Sequence, residues 1–299
     1  MKRAILLYNP KAGNRRIVNN IDFIIKKMQE FDFQLSLYRS AYTGSIQEYI
    51  INEITQSSID LIMVSGGDGT INECINGVMK KNLDIPIMIL PLGTANDFAN
   101  TADIPSNLAD ILDIIKTGEI RYVDIGSVNN KYFINVCNMG VFSGVSHETD
   151  LQLKKNFGKL AYYVKGIEEL QKYEAMHLEI EYDGKLIEEK YSLVLIFNGK
   201  GAGGFNKIAK DASIEDGYFD FIGIKEVDFI EIPKLFIKML QGEHLEDDKV
   251  DYIKMTNATI RCLNNEVGFA TDIDGEVGPP FPLNIQLIQN RIKVYLPKI

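Results

Sequence analysis

The sequence predicts an α/β domain on a doubly wound parallel sheet, followed by an antiparallel β-sandwich domain. Three observations carry that prediction. Apolar strands alternate with amphipathic helices over residues 1 to 123, hairpin signals replace them from residue 124, and glycine-containing loops recur where the first strands end. The division expected is 1–123 and 124–299.

The first strand is the run Ala4 to Tyr8, followed by a helix whose Ile17, Ile21, Ile24, Ile25 and Met28 share one face. Gln34 to Tyr38 alternates as a strand does. Ser45 with Glu48 has the form of a capping box ahead of Ile46, Tyr49, Ile50 and Ile54, and Leu61 to Val64 is an apolar run of the kind buried on both faces. Thr70 and Glu73 repeat the capping-box pattern before a helix with Ile71, Cys74, Ile75, Val78 and Met79 on one side. Ile87 to Leu90 is the next strand, and Ser106 is placed to cap a helix carrying Leu108, Ile111, Leu112 and Ile115 as far as Gly118.

Beyond residue 124, Asn129-Asn130 and Asp183-Gly184 read as two-residue hairpin turns, the second joining His177 to Tyr182 to its return. Residues 144 to 173 read as a helical insertion and 229 to 241 as another helix. Tyr191 to Phe197 and Ile285 to Tyr295 are strands. No repeat, low-complexity tract or long linker separates the halves, so shared strands or a tight interface are expected.

A chain of 299 residues with 45% hydrophobic content can bury a sizeable core. No apolar run approaches the roughly 18 to 20 residues of a membrane span, and Met1 to Ile5 enters a short strand rather than a signal peptide's apolar core. Cys74, Cys137 and Cys262 are odd in number and set among apolar neighbours, which predicts buried, reduced thiols in the cytoplasm and no zinc site. A net charge of −9 disfavours nucleic acid as a partner, because phosphate backbones are bound through clustered Lys and Arg. Local basic clusters survive that average, Lys11, Arg15 and Arg16 in one place and Lys154, Lys155, Lys159 and Lys165 in another. Taken singly, each reads as solvated helix surface. His147, His177 and His244 stand apart from one another and receive no catalytic role.

The most informative stretch is residues 60 to 72, where an apolar strand runs into Gly66-Gly67-Asp68-Gly69-Thr70 and then a helix. Glycine lets backbone N–H groups approach a phosphoryl oxygen closely, and a helix N-terminus adds its positive end. Asp68 is unfavourable in a purely anionic site unless a cation lies between, which points to Mg²⁺ bound with a nucleoside triphosphate. Pro91-Leu92-Gly93-Thr94-Ala95-Asn96-Asp97 then supplies a hydroxyl, an amide and a second carboxylate after another buried strand. A helix cap alone explains that loop equally well. Its pairing with residues 66 to 70 favours a site at the carboxyl edge of a parallel sheet.

Asn9-Pro10-Lys11-Ala12-Gly13, Gly66 to Thr70 with Asn72-Glu73, and Pro91 to Asp97 together resemble the signature loops of the diacylglycerol kinase catalytic family, most closely its bacterial lipid kinases. The resemblance continues through Asn198-Gly199, Gly203-Gly204, Asp211 to Tyr218 and Asp274-Gly275-Glu276, in order along the whole chain. It implies that Asn9, Pro10, Lys11, Ala12, Gly13, Thr43, Gly66, Gly67, Asp68, Gly69, Thr70, Ile71, Asn72, Thr94, Asn96 and Asp97 bind ATP, with Asp68 bearing on its Mg²⁺. A lipid hydroxyl is a poor nucleophile and needs a carboxylate to take its proton. The resemblance locates that group at Asp274-Gly275-Glu276, with Glu276 the first choice and Asp274 the second, whereas alone these residues read as a simple turn. It further implies a structural Mg²⁺ held by carbonyls of Ser213 and Tyr218 and the carboxylate of Asp216, with Asp124 linking that ion to the crevice.

The expected activity is ATP-dependent phosphorylation of diacylglycerol to phosphatidic acid at the inner face of the cell membrane, by a cytoplasmic protein that docks transiently through Lys11, Arg15, Arg16 and Lys165. Homodimerisation is an expectation from the resemblance alone. Phosphatidylglycerol or a sphingoid base is the alternative acceptor. NAD kinase shares the Gly-Gly-Asp-Gly loop and matches the other motifs poorly, and a silent nucleotide or lipid sensor is disfavoured by the presence of Asp68, Asp97, Asp274 and Glu276.

Overall fold

The computed structural model describes residues 1–140, 175–201, 208–227, 231–264 and 269–298. Its first half is a parallel sheet of β1 (Lys2–Tyr8), β2 (Phe33–Arg39), β3 (Leu61–Gly66) and β4 (Ile87–Pro91), in the order β2-β1-β3-β4. Successive side chains of a strand point to opposite faces, so an apolar run must be covered twice. On one face, Ile5, Leu7, Ile62, Val64, Ile87 and Ile89 pack against Ile46 and Ile50 of α3 (Ser45–Glu53), Ile54 just beyond it, and Ile71, Cys74, Ile75 and Val78 of α4 (Asp68–Lys80). On the other, Ala4, Leu6, Leu61, Met63, Met88 and Leu90 meet Ile17 of α1 (Arg16–Asn19), Ile24 and Met28 of α2 (Ile21–Glu30), and Ile111, Leu112 and Ile114 of α6 (Leu108–Thr117). Each fully buried Ile or Leu contributes about 1.5–3 kcal/mol, so the sheet is fixed from both sides. The first predicted helix is therefore broken, with a left-handed Arg15 ahead of α1 and Asn20 between α1 and α2.

The second half is antiparallel. The hairpins turn at Asn129-Asn130, between β5 (Glu119–Val128) and β6 (Lys131–Phe133), and at Asp183-Gly184, between β8 (Met176–Tyr182) and β9 (Lys185–Phe197). All four turn residues have positive φ, as the twist of a two-residue hairpin requires. These strands, with β7 (Val136–Gly140), β10 (Phe219–Lys225), β11 (Val250–Met255), β12 (Asn257–Cys262), β13 (Thr271–Ile273), β14 (Glu276–Val277) and β15 (Leu283–Leu296), form the β-sandwich. One side buries Met139, Tyr191, Ile196, Phe221, Ile260 and Leu283. The other is covered in part by the helix Ile232–Gln241. The insertion read at 144 to 173, with Lys154, Lys155, Lys159, Lys165 and His147, lies outside the described residues, as does Gly203-Gly204.

Two strands join the halves. β5 gives Val123 and Ile125 to the first core and Val128 to the second. β15 gives Leu283 and Ile285 to the second core, then Ile292, Val294 and Leu296 to the first, pairing with β5 over most of its length and touching β4 in parallel at Val294. The relative placement of the halves is therefore set by continuous sheet. All three cysteines are buried and unpaired.

Candidate active site

Three loops meet at the carboxyl ends of β1, β3 and β4, held by backbone contacts. A Cβ on Gly13, whose φ is +52°, would lie 1.8 Å from the Leu92 carbonyl oxygen, and one on Gly93 would lie 2.4 Å from Gly67 Cα. Neither position has room for a side chain, so the first loop packs on the third and the third on the second. Asn9 caps its own loop, its Oδ1 accepting the Lys11 N–H at 2.9 Å while its N–H donates to the Ser65 carbonyl at 3.0 Å. Asn96, with φ of +56°, folds back so that its Oδ1 accepts the Gly93 N–H at 2.9 Å.

Asp68 joins the second loop to the third. Its Oδ1 accepts the Asp97 N–H at 2.8 Å and its Oδ2 the Asn96 N–H at 3.0 Å, so one carboxylate in the first turn of α4 caps the start of α5 (Asp97–Thr101). Burial raises its pKa, opposed by those backbone hydrogen bonds. Two helix N-termini thus face one crevice beside a negative charge, a setting suited to phosphate with a metal counter-ion.

Across from these loops stands the hairpin β13–β14. Asp274 (φ +50°) and Gly275 (φ +89°) are its two turn residues, so the bland reading of Asp-Gly describes the backbone correctly. The side chains diverge. Asp274 is buried, and its carboxylate accepts N–H groups from Ile134 at 2.8 Å, Asn135 at 2.9 Å, Val136 at 2.9 Å and the Asn72 amide at 2.9 Å. Burial pushes its pKa up to about 6 against those donors, so it is ionised at neutral pH. Its acceptor capacity is spent on holding chain. Glu276 is exposed, and its Oε1 lies 3.2 Å from where a Cβ on Gly69 would be. The carboxylate therefore overhangs Gly69, in the first turn of α4.

Other expected residues divide clearly. Lys11, Thr43 and Thr94 are exposed at the crevice loops, while Pro10 and Thr70 are buried within them. Ile71 offers nothing to a ligand, since its side chain is fully buried and its N–H donates to the Gly67 carbonyl at 3.1 Å. Asn72 directs its amide to Asp274 and the Tyr132 carbonyl, away from the phosphate loop. The capping boxes also differ from expectation. Helix α4 starts at Asp68 behind Gly67, and Glu73 reaches across to accept the Ile46 N–H of α3 at 3.2 Å. Glu48 takes the Tyr42 hydroxyl at 2.6 Å, and Asn107 rather than Ser106 caps α6, accepting the Ala109 N–H at 2.8 Å. The two glutamates thus accept from donors outside their own helix starts, and at α6 the neighbouring amide is the capping acceptor.

The segment 211–218 lies against β5. Asp124, buried with its pKa raised by desolvation, accepts the Gly217 N–H and the Asn290 N–H, each at 2.8 Å. Its carboxylate thus ties the turn to β15. Asp216 accepts the Tyr218 N–H at 3.1 Å and pairs with Lys254 at 2.8 Å. Nearby Asp220 is fully buried, one oxygen bonded to the Tyr252 hydroxyl and the other without a hydrogen-bond partner. Asp211, Asp216 and Asp220 against one ammonium leave excess negative charge, which fits a cation. Among the described residues no three His, Cys, Asp or Glu side chains meet at one metal position, so an ion here would lean on carbonyls and water.

Sequence reasoning missed Asn76 and gave Asn198 only as part of the family resemblance. Asn198 is buried, its amide donating to the carbonyls of Asp124 at 2.8 Å and Ile134 at 3.1 Å. The available signal for Asn76 was an amide flanked by Ile75, Gly77 and Val78 in the middle of an apolar helix.

Comparison with known proteins gives a consistent result. Residues 3–128 match the family model described as diacylglycerol kinase catalytic domain, and residues 135–296 match the YegS C-terminal NAD kinase beta sandwich-like domain. The chain is 33% identical over 299 residues to a diacylglycerol kinase of Bacillus subtilis, covering 100% of this chain and 97% of that one. It is 32% identical over 296 residues to a diacylglycerol kinase of Staphylococcus saprophyticus, covering 99% and 96%. The crystal structure of a diacylglycerol kinase from Bacillus anthracis superposes with a TM-score of 0.81 at 27% identity, covering 99% of this chain and 97% of that one.

Proposed function

The chain belongs to the diacylglycerol kinase family, and we propose that it transfers the γ-phosphoryl group of ATP to the free hydroxyl of diacylglycerol, giving phosphatidic acid and ADP. The observation that carries this reading is the carboxylate of Glu276 overhanging Gly69, at the mouth of the loops that cradle phosphate. The triphosphate would lie along the amides of residues 66 to 69 and the exposed side of Asn9 to Gly13, with Thr43 and Thr94 at its edges; the Thr70 N–H is spent on the Gly67 carbonyl at 2.9 Å. Asp68 orders both loops and would bear on the nucleotide's Mg²⁺, an ion that would neutralise charge on the phosphates.

Glu276 takes the proton of the lipid hydroxyl as its oxygen forms a bond to the γ-phosphorus and the bond to the ADP oxygen breaks. Asp274 serves as anchor for Glu276, since its own lone pairs are engaged by four donors. Ser213 and Tyr218 carbonyls with Asp216 would hold a second Mg²⁺ that stiffens the turn fastened to Asp124.

No helix among the described residues is long and apolar enough to cross a membrane. The protein reaches its lipid by transient docking at the inner membrane surface, with exposed Lys11, Arg15 and Arg16 beside the first loop, each contributing about 1 kcal/mol at an anionic surface. Dimer formation is carried over from the resemblance.

The test is transfer of labelled γ-phosphate from ATP to diacylglycerol, phosphatidylglycerol, sphingosine and NAD in separate reactions. Phosphatidic acid is expected as the main labelled product. Preferential labelling of another acceptor would move the substrate assignment, and no lipid labelling would remove the kinase reading.

A further inference from the structure

Burying an amide on an apolar helix face costs free energy unless every polar atom finds a partner. Asn76 is 6% exposed on α4, two turns beyond Asp68, and apart from the Asn72 carbonyl of its own helix, 3.1 Å from Nδ2, its partners lead to the acceptor side. Its Nδ2 donates to the Tyr132 carbonyl at 2.9 Å and its Oδ1 accepts the Tyr132 N–H at 3.2 Å, so the side chain grips one residue of β6 through both of its backbone polar groups. The same Nδ2 donates to Oδ1 of Asn72 at 2.9 Å. That bond fixes which way the Asn72 amide faces and turns its Nδ2 toward the Tyr132 carbonyl at 3.0 Å and Oδ2 of Asp274 at 2.9 Å. Two residues after Tyr132 come the amides of Ile134, Asn135 and Val136, all donated to Asp274.

We infer that Asn76 is a positioning residue for phosphoryl transfer, setting the separation between the phosphate loop at the head of α4 and Glu276 on the β13–β14 hairpin. The inference rests on the kinase reading above for its catalytic consequence. The geometry itself is independent of the acceptor. One rigid helix carries Asp68 and Gly69 at its start and Asn72 and Asn76 one and two turns on, so the donor half and the grip on the acceptor half cannot drift apart without breaking a buried network. Neither asparagine touches a reacting atom. Displacement of a positioned group by about 1 Å can cost about 100-fold in rate.

The experiment compares wild type with Asn76→Ala and Asn76→Asp in the full chain. For Asn76→Ala, kcat for lipid phosphorylation, per nucleotide-binding site, is expected to fall about 10- to 100-fold with ATP affinity within about twofold of wild type. Lipid-independent ATP hydrolysis needs no aligned lipid hydroxyl and is expected to fall much less, so the ratio of the two activities shifts. Hydrogen exchange is expected to quicken by about tenfold at Ile134 to Val136 and to stay unchanged at Asn96 and Asp97. Asn76→Asp keeps the acceptor for the Tyr132 N–H but sets a buried carboxylate against the carbonyls of Tyr132 and Asn72, so it should fall at least as far as Asn76→Ala; Asn76→Ser carries the comparison should Asn76→Ala not fold. A proportional drop in both activities, or unchanged exchange at Ile134 to Val136, overturns the inference. Wild type that labels no lipid sinks the kinase reading instead, and the exchange comparison still decides the grip.

Discussion

Asp68 and Asp274 are both aspartates followed by glycine, both tied by hydrogen bonds to backbone amides, and they do opposite work. Asp68 spans two loops of one domain, taking two amides that begin the next helix. Asp274 spans both domains, taking three amides and the Asn72 side chain. On the kinase reading, the donor half of the crevice is built by glycines whose missing side chains let backbone meet backbone. The acceptor half is built by side-chain amides and carboxylates bonded to one another and to backbone. Preorganisation is thus concentrated where the nucleophile must be aligned, which is where misplacement costs most.

The strongest way to break this contrast is at Glu276. Glu276→Gln is expected to lower kcat by about 10³-fold, within the range for a lost general base, with melting temperature and ATP affinity unchanged, because the side chain is exposed. Turnover near wild type would return the proton-accepting role to Asp274 or to solvent.

Asp274→Ala should remove turnover too, and unlike Glu276→Gln it should also destabilise the fold, by about 3 kcal/mol, since three buried backbone donors lose their acceptor. Chemical denaturation measures this. Asp68→Ala removes one shared cap, about 1 kcal/mol by the same measurement, and should weaken ATP binding as its main effect. Equal destabilisation by the two variants would erase the distinction between the halves.

A smaller effect lies in pH. The folded pKa of Asp274, about 6, stands above its ordinary value of 3.8, so protonation favours the folded state. As pH falls from 6 to 4 this group adds stability, by up to about 3 kcal/mol, and that contribution is lost as pH rises back through 6. The neutral acid is a poorer acceptor for four donors, so positioning slackens while stability grows. Amide NMR shifts of Ile134 to Val136 should titrate with a midpoint near 6. A midpoint close to the unperturbed value would mean that the donors outweigh burial.

The mildest change expected is at the rim. Replacing Lys11, Arg15 or Arg16 by Ala should weaken binding to anionic vesicles by about 1 kcal/mol each, with loss of the effect at high salt. Binding indifferent to salt and lipid charge would place the docking surface elsewhere.

Much of this was legible along the chain. The four parallel strands, the helices behind them and both hairpin turns follow from periodicity and turn chemistry, because a strand covered on two faces must be apolar at every position and a two-residue turn needs residues that tolerate positive φ. Helix caps were less legible. Glu73 has the sequence signature of a local cap, yet the Ile46 N–H from another helix reaches it, and sequence spacing carries no information on such partners.

By itself the sequence determined the alternation of layers, the glycine loops that follow β1, β3 and β4 and the presence of two carboxylates around Gly275, since these depend on residues close together in the chain. Tertiary structure alone decided which carboxylate faces the crevice. Asp274 and Glu276 are separated by one residue on a turn, and only the arrival of Ile134, Asn135, Val136 and Asn72, from 138 to 202 positions away, buries one as an anchor and leaves the other exposed over Gly69. A buried carboxylate must collect donors, and where they come from is a property of the fold.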